Sequence, residues 1–158
     1  MEKWSIKINR AFELKAAGKH SEMIKIMLIV SCLAASYFFV FLLIANHWGQ
    51  ALLYGIYGSL VFSLGLLAAS FVSPAMSWRA FWIANIGLIL IFGGIELYSM
   101  LTLENSTATR FGGARLSIDG RITPAGFASL VFDIGICVTA NLFGFSLARF
   151  LINRLNLE

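Results

Sequence analysis

Residues 80–103, AFWIANIGLILIFGGIELYSMLTL, decide the fold class of this chain. The stretch holds 24 residues and one charged side chain, Glu96. A helix needs roughly 20 apolar residues to cross the hydrocarbon core of a bilayer, so this segment predicts a transmembrane helix. A charged group inside such a helix is costly, and Glu96 is therefore a candidate functional residue.

Three further segments have the same apolar character, namely residues 24–45, 51–72 and 124–151. Of the 158 residues, 59% are hydrophobic and 13% are charged, whereas soluble domains carry roughly 25% charged residues. A soluble domain of this length could not hide so much apolar surface. We therefore predict an all-α integral membrane protein, in which residues 1–158 form a single membrane domain built as a four-transmembrane-helix bundle.

The basic residues predict the orientation of the spans. Nine lie on one side of the predicted membrane and three, all within residues 104–123, on the other. Because Lys and Arg accumulate on the cytoplasmic side, both termini are expected in the cytoplasm, with a bacterial inner membrane as the expected location. The nine on the side of the termini are Lys3, Lys7, Arg10, Lys15, Lys19, Lys25, Arg79, Arg149 and Arg154. The three on the other side are Arg110, Arg115 and Arg121.

Residues 1–21 predict an amphipathic helix on the cytoplasmic surface. Trp4, Ile8 and Phe12 fall within one helical stripe, with basic residues elsewhere on the wheel. Such a helix lies in the interface of an anionic leaflet. The alternative is a basic tail that only sets the topology. The basic residues expected at the membrane surface are Lys3, Lys7, Arg10, Lys15 and Lys19.

The connection 104–123 is the one long predicted loop, and it is expected on the outer side. Asp119-Gly120 separates two short β-prone runs, which is the signal of a two-residue type I′ hairpin. The alternative is an irregular loop with one turn. Thr123 is expected to cap the last helix, with Pro124 at its first position.

Two acidic residues and two asparagines stand out within the spans. Glu96 and Asp133 are expected about 10 and 13 Å from the outer ends of their helices, and Asn85 and Asn141 about 9 and 12 Å from the inner ends. The spacing predicts Glu96 opposite Asp133, and Asn85 opposite Asn141 as a packing pair. Two carboxylates held together in low dielectric would share a proton or bind a cation. The structural alternative is an acid that bonds a neighbouring helix or is neutralised by a loop arginine.

Small residues predict where helices approach closely. In the second span they recur every four residues, at Gly55, Ser59 and Ser63. The last span carries a small and polar stripe that we expect to pack against the third span. Its members include Gly126, Ser129, Asp133, Cys137, Ala140, Gly144 and Ala148.

The sequence contains no pattern that is typical of an enzyme's catalytic site. It has no C-x-x-C, nucleophile–base pair, metal-ligand cluster or phosphate loop, so no catalytic site, metal or cofactor is expected. The net charge of +4 indicates a signal for membrane orientation rather than a nucleic-acid-binding surface. The first hypothesis is a non-catalytic membrane subunit that self-associates or joins a partner, in sensing, immunity, exclusion or complex assembly. The alternative is a small ion channel or proton-coupled transporter that uses Glu96 and Asp133.

Overall fold

The computed structural model describes the backbone of residues 2–45, 47–102, 109–110 and 113–155, and the side chains of these ranges except 2–19, 45, 109 and 110. Within them the chain forms four long helices and two short β-hairpins. The helices are α1 (Glu2–Ala45), α2 (Trp48–Ala69), α3 (Trp78–Thr102) and α4 (Pro124–Arg154). The strands are β1 (Thr109–Arg110), β2 (Ala114–Arg115), β3 (Ser117–Ile118) and β4 (Arg121–Ile122).

All four helices contain a segment long and apolar enough to cross a membrane. These segments are His20–Ile44, Trp48–Ala69, Trp78–Thr102 and Pro124–Arg154. They indicate an integral membrane protein, and a four-helix bundle is the plausible arrangement. The backbone of α1 is one helix from Glu2 to Ala45, so it runs through the predicted surface segment. The side chains of Lys3, Lys7, Arg10, Lys15 and Lys19 lie outside the described residues.

The helices form a ring in which α1 lies between α2 and α4, and α3 closes the ring against the same two helices. The bundle has a hairpin end, where α3 ends and α4 begins, and an opposite end, where α2 ends and α3 begins. Toward the opposite end, Phe81 stacks on Phe145 with ring centroids 4.8 Å apart, and Phe62 packs 5.7 Å from Phe81. All three side chains are fully buried, so this aromatic cluster closes that half of the bundle.

Glycines allow α1 to approach both of its neighbours. A Cβ placed on Gly55 of α2 would lie 3.2 Å from the Ala34 carbonyl oxygen. One placed on Gly144 of α4 would lie 2.9 Å from the Cα of Leu33. The sequence favours α3 as the neighbour of the α4 stripe, but the nearest atoms to Gly144 belong to α1. Helical periodicity defines a face and leaves the neighbouring helix undetermined, which explains the difference.

The connection between α3 and α4 folds back onto the start of α4. Strand β3 pairs antiparallel with β4, and Ser117 lies opposite Ile122. Asp119 and Gly120 both have positive φ, at 49° and 69°, as a type I′ turn requires. A second short pair joins β1 and β2, with Arg110 opposite Ala114.

The Thr123 side chain fixes the beginning of α4. Its hydroxyl oxygen accepts a hydrogen bond from the Gly126 amide over 3.1 Å and lies 2.6 Å from the Arg115 carbonyl oxygen, to which it donates. Gly126 is buried so closely under the connection that a Cβ there would overlap the Leu116 carbonyl oxygen. The hairpin is therefore docked on α4 through backbone contacts.

Candidate functional site

A chain of buried hydrogen bonds joins three helices at the middle of the bundle. Asn141 of α4 donates from Nδ2 to Oδ1 of Asn85 on α3 over 2.8 Å. The hydroxyl of Tyr37 on α1 donates to Oδ1 of the same Asn141 over 2.6 Å. Both asparagines are 1% exposed and Tyr37 is 4% exposed. Because unpaired polar groups are costly in an apolar interior, this polar link fixes the relative positions of α1, α3 and α4.

The sequence alone pointed to the two asparagines and missed Tyr37. A tyrosine inside an apolar run is an ordinary core or interface residue, and nothing in its spacing marks a hydrogen bond 104 positions along the chain. Its ring also lies against Gly58 of α2, where a Cβ would come within 2.6 Å of the ring carbons. Tyr37 is therefore the residue through which α2 meets the polar link.

A column of polar side chains runs along α4 from the hairpin end to the polar link. Ser129, Asp133, Cys137 and Asn141 follow one another every four residues, which places them on one face of the helix. Ser129 and Asn141 are fully buried, whereas Asp133 and Cys137 are only partly buried. The Oγ of Ser129 lies 3.5 Å from Oδ2 of Asp133. Packing is therefore incomplete around the middle of this column.

Glu96 lies on α3 near the same part of the column. Asn85 meets Asn141, and a Cβ on Gly93 would lie 3.5 Å from Cδ1 of Ile134. This antiparallel register brings Glu96, one turn beyond Gly93, to the level of residues 130–133. Like Asp133, Glu96 is partly buried. We refer to Glu96 and Asp133, which the sequence predicts to face one another, as the acid pair.

Distances counted from the polar link place the acid pair beside the turn between α1 and α2. That turn, at His47, lies ten residues beyond Tyr37, or about 15 Å along the helix. Asp133 lies eight residues beyond Asn141 and Glu96 eleven beyond Asn85, or about 12 and 16 Å. The acid pair therefore lies at about the same height along the bundle as the α1–α2 turn.

The same counting shows that α3 and α4 extend about 10 Å past the α1–α2 turn. This difference in height forms a step, with the α1–α2 turn as its floor and the hairpin-end parts of α3 and α4, residues 96–102 and 124–133, as its wall. Apolar side chains in these two segments are exposed, including Tyr98 at 69% and Phe127 at 62%, as are apolar side chains elsewhere in the bundle, such as Leu43 at 86%. The acid pair lies at the base of the wall.

The other residues that the sequence predicts at helix contacts lie in packed positions within the bundle. Ser59 is buried and donates to the Ile56 carbonyl oxygen over 2.9 Å, while Ala148 is fully buried in the apolar core. The hydroxyls of Ser63 and Ser36 are buried without a hydrogen-bond partner among the described residues. Within the described residues, no three His, Cys, Asp or Glu side chains are grouped so as to hold a metal ion.

Comparison of the chain with protein families, curated proteins and solved structures finds no match in any of the three.

Proposed function

We propose that this protein is a non-catalytic membrane subunit that assembles with another copy of itself or with a membrane-protein partner. The roles that suit such a subunit are sensing, immunity or exclusion, and complex assembly. The observation that carries the proposal is the step. The polar α1–α2 turn, with His47 and Gln50, belongs at a membrane surface, yet apolar side chains continue about 10 Å past it on α3 and α4.

A single flat bilayer cannot place the α1–α2 turn at its surface and the hairpin-end parts of α3 and α4 in its hydrocarbon at the same time. If the hydrocarbon covers the wall, the α1–α2 turn and the acid pair are forced below the surface, where polar groups are costly. If the turn lies at the surface, apolar side chains of the wall, including Tyr98 and Phe127, remain exposed beyond it, and we propose that a partner covers them. A second protein packed against the wall removes this conflict.

The proposed orientation places both termini in the cytoplasm and the step on the outer face of a bacterial inner membrane. The excess of basic residues on the side of the termini supports this orientation. In this orientation, the N-terminal part of α1 continues the spanning helix into the cytoplasm. Assembly is tested by co-expressing two differently tagged copies and extracting them in polymer nanodiscs that retain native lipid. Recovery of both tags together, or of one copy in a fixed ratio with a defined second chain, is expected.

A proton-coupled transporter or small ion channel is the second candidate. It is favoured by the acid pair at the end of the α4 polar column, which continues through Cys137 to the polar link. It ranks second because the polar link and the aromatic cluster close the bundle toward the opposite end. The test is pH-driven flux in liposomes, which Glu96→Gln abolishes if the acid pair carries protons. No flux in either protein would rule this candidate out.

A further inference from the structure

We propose that the opposite end of the bundle, where α2 ends and α3 begins, binds the phosphate of an anionic phospholipid. The groups that hold it are the guanidinium groups of Arg149 on α4 and Arg79 on α3. The site is separate from the step, so it does not depend on how the protein assembles. It also does not depend on the orientation of the chain, because both surfaces of a bilayer carry headgroups.

The aromatic cluster holds the Arg149 side chain in place. The guanidinium carbon of Arg149 lies 5.4 Å from the centroid of the Trp78 ring, in a cation–π contact. The Trp78 ring packs edge-on against the buried rings of Phe81 and Phe145, with centroids 5.3 Å apart in both pairs. Because Trp78 is fixed to the core, the guanidinium over it is positioned before a ligand binds, which lowers the entropic cost of binding.

The arginines at this end have no counter-charge among the described residues. The only described carboxylate at the same end is that of Glu22, which lies 2.9 Å from the ammonium group of Lys25. Within the described ranges, neither Arg79 nor Arg149 forms a salt bridge. Arg149 is partly buried, and a charge withdrawn from water is costly unless an opposite charge pairs with it. We therefore expect an anion from outside the described part of the chain.

The turn beside the arginines favours a lipid over a soluble ion as the source of this anion. Residues 70–77 include no charged side chain, and Phe71 and Val72 of this turn are 94% and 68% exposed. Trp82, one turn into α3, is exposed as well. An uncharged turn with protruding apolar side chains, followed by tryptophan, is typical of the boundary between hydrocarbon and headgroups. The anions at that boundary are lipid phosphates.

Arg149 lies at the same boundary. Its contact with Trp78, the first residue of α3, places it level with the beginning of that helix. Exposed apolar side chains continue past it on α4, at Phe150 and Leu155. The planar guanidinium can donate two parallel hydrogen bonds to a phosphate. A zwitterionic headgroup carries its own cation near the phosphate, so an anionic phospholipid is the better ligand.

The test counts the lipids that stay bound to the protein in native mass spectrometry, after release from nanodiscs of phosphatidylcholine and phosphatidylglycerol in equal amounts. The wild-type chain is expected to retain phosphatidylglycerol. Arg149→Gln should reduce this retention about tenfold, since it removes a charged contact with two hydrogen bonds. Arg79→Gln should reduce it about threefold, because pairing of an exposed charge contributes less.

The matched control is Arg154→Gln, which removes one positive charge from an exposed residue at the same end of α4. Retention is expected to change less than about twofold, because a solvated charge away from the site is screened. Arg149→Lys keeps the charge but lacks the planar fork, so it should retain an intermediate amount of phosphatidylglycerol. It replaces Arg149→Gln in the comparison if that variant does not fold, as judged by its circular dichroism and elution profile.

The wild-type chain distinguishes a lipid headgroup from free phosphate without any variant. Added inorganic phosphate is expected to leave the retained phosphatidylglycerol in place, because free phosphate lacks the acyl chains that hold the headgroup at this height. Displacement of the lipid by inorganic phosphate would assign the arginines to a soluble anion and overturn the inference.

Two other results would also overturn it. One is equal retention of phosphatidylcholine and phosphatidylglycerol by the wild-type chain. The other is an equal loss in folded Arg149→Gln and Arg154→Gln, which would indicate a general attraction to the charged end. A wild-type chain that is single and unaccompanied by protein, yet retains phosphatidylglycerol through Arg149, overturns the proposed function and leaves this inference standing.

Discussion

Asn141 of α4 and Asn85 of α3 lie 2.8 Å apart, Nδ2 to Oδ1, across two antiparallel helices, and each is 1% exposed. The same Asn141 accepts the Tyr37 hydroxyl of α1. A single amide therefore holds three helices in register. This register sets the height of the α1–α2 turn relative to α3 and α4, and with it the step.

The first prediction concerns the polar link. Asn141→Leu removes two hydrogen bonds and leaves Asn85 and Tyr37 without their partner, so it is expected to lower the free energy of unfolding by about 1–3 kcal/mol. Tyr37→Phe removes one bond and is expected to cost about 0.6 kcal/mol, the average for interhelical bonds in membranes. Steric-trapping unfolding in bicelles measures both. Thr139→Ala is the control, because Thr139 is exposed and bonds its own helix at Gly135. Equal stability of Asn141→Leu and wild type would contradict this role.

The second prediction concerns the contact between α1 and α4. Gly144→Ala adds a methyl group 2.9 Å from the Cα of Leu33, so the helices must separate, at a cost of about 1–3 kcal/mol. Gly144→Leu should prevent folding. The matched control is Gly135→Ala on the same helix, where a Cβ meets nothing within 4 Å. Thermal unfolding in detergent should show a lower Tm for Gly144→Ala alone. A similar Tm for both variants would mean that α4 does not approach α1 this closely.

The third prediction concerns the docking of the hairpin. Thr123→Val keeps the shape of the side chain but removes the cap of α4 and the bond to Arg115, at a cost of about 1 kcal/mol. The loss is local, so hydrogen exchange of residues 116–127 should accelerate while the core of α4 stays protected. Thr102→Val serves as the control, since the Thr102 hydroxyl donates to the Tyr98 carbonyl oxygen in the preceding turn of its own helix. Unchanged exchange in Thr123→Val would show that the cap is dispensable.

The fourth prediction concerns the acid pair. Glu96→Gln keeps the size and hydrogen-bonding ability of the side chain and is expected to fold normally. If Glu96 faces Asp133 as the sequence predicts, Glu96→Ala is expected to destabilise the protein, because it removes the partner of Asp133. The yield and elution profile of the two variants after purification distinguish them. If Glu96→Ala matches Glu96→Gln in both, Glu96 contributes no interaction on which the fold depends.

The fifth prediction concerns topology. In a chain with Cys32→Ala and Cys137→Ala, a membrane-impermeant maleimide should label Asp119→Cys in intact cells, because the hairpin is expected on the outer side. Asn153→Cys, exposed at the end of α4, should react only after the membrane is opened. The reverse pattern would invert the proposed orientation and move the step to the cytoplasm.

The sequence predicts the spans well because each depends only on local composition. The predicted last span begins at Pro124, as α4 does, and the predicted third span differs from α3 by two residues at its beginning and one at its end. The predicted second span continues to Val72, whereas α2 ends at Ala69. The apolar residues after Ala69 are indistinguishable by composition from a helix, and the chain turns there through local backbone bonds.

The site is less predictable because it depends on the heights of the helix ends relative to one another along the bundle. Counting from helix ends predicts a depth for each acid, but it does not predict how far the ends of α3 and α4 lie from the α1–α2 turn. That comparison requires a contact between the two helix pairs, such as the hydrogen bond from Tyr37 to Asn141. A hydrogen bond between residues so distant in sequence leaves no periodic signal. The same limit applies to Gly144, whose partner on α1 follows from the arrangement of the helices.

The central claim is that the protein works as part of an assembly, and the mass of the wild-type particle in native-lipid nanodiscs tests it most directly. One chain has a mass of 17.4 kDa. Native mass spectrometry after release from the nanodisc is expected to give two or more times that mass, or that mass together with one defined partner chain. A single chain of 17.4 kDa, unaccompanied and folded, would contradict the account.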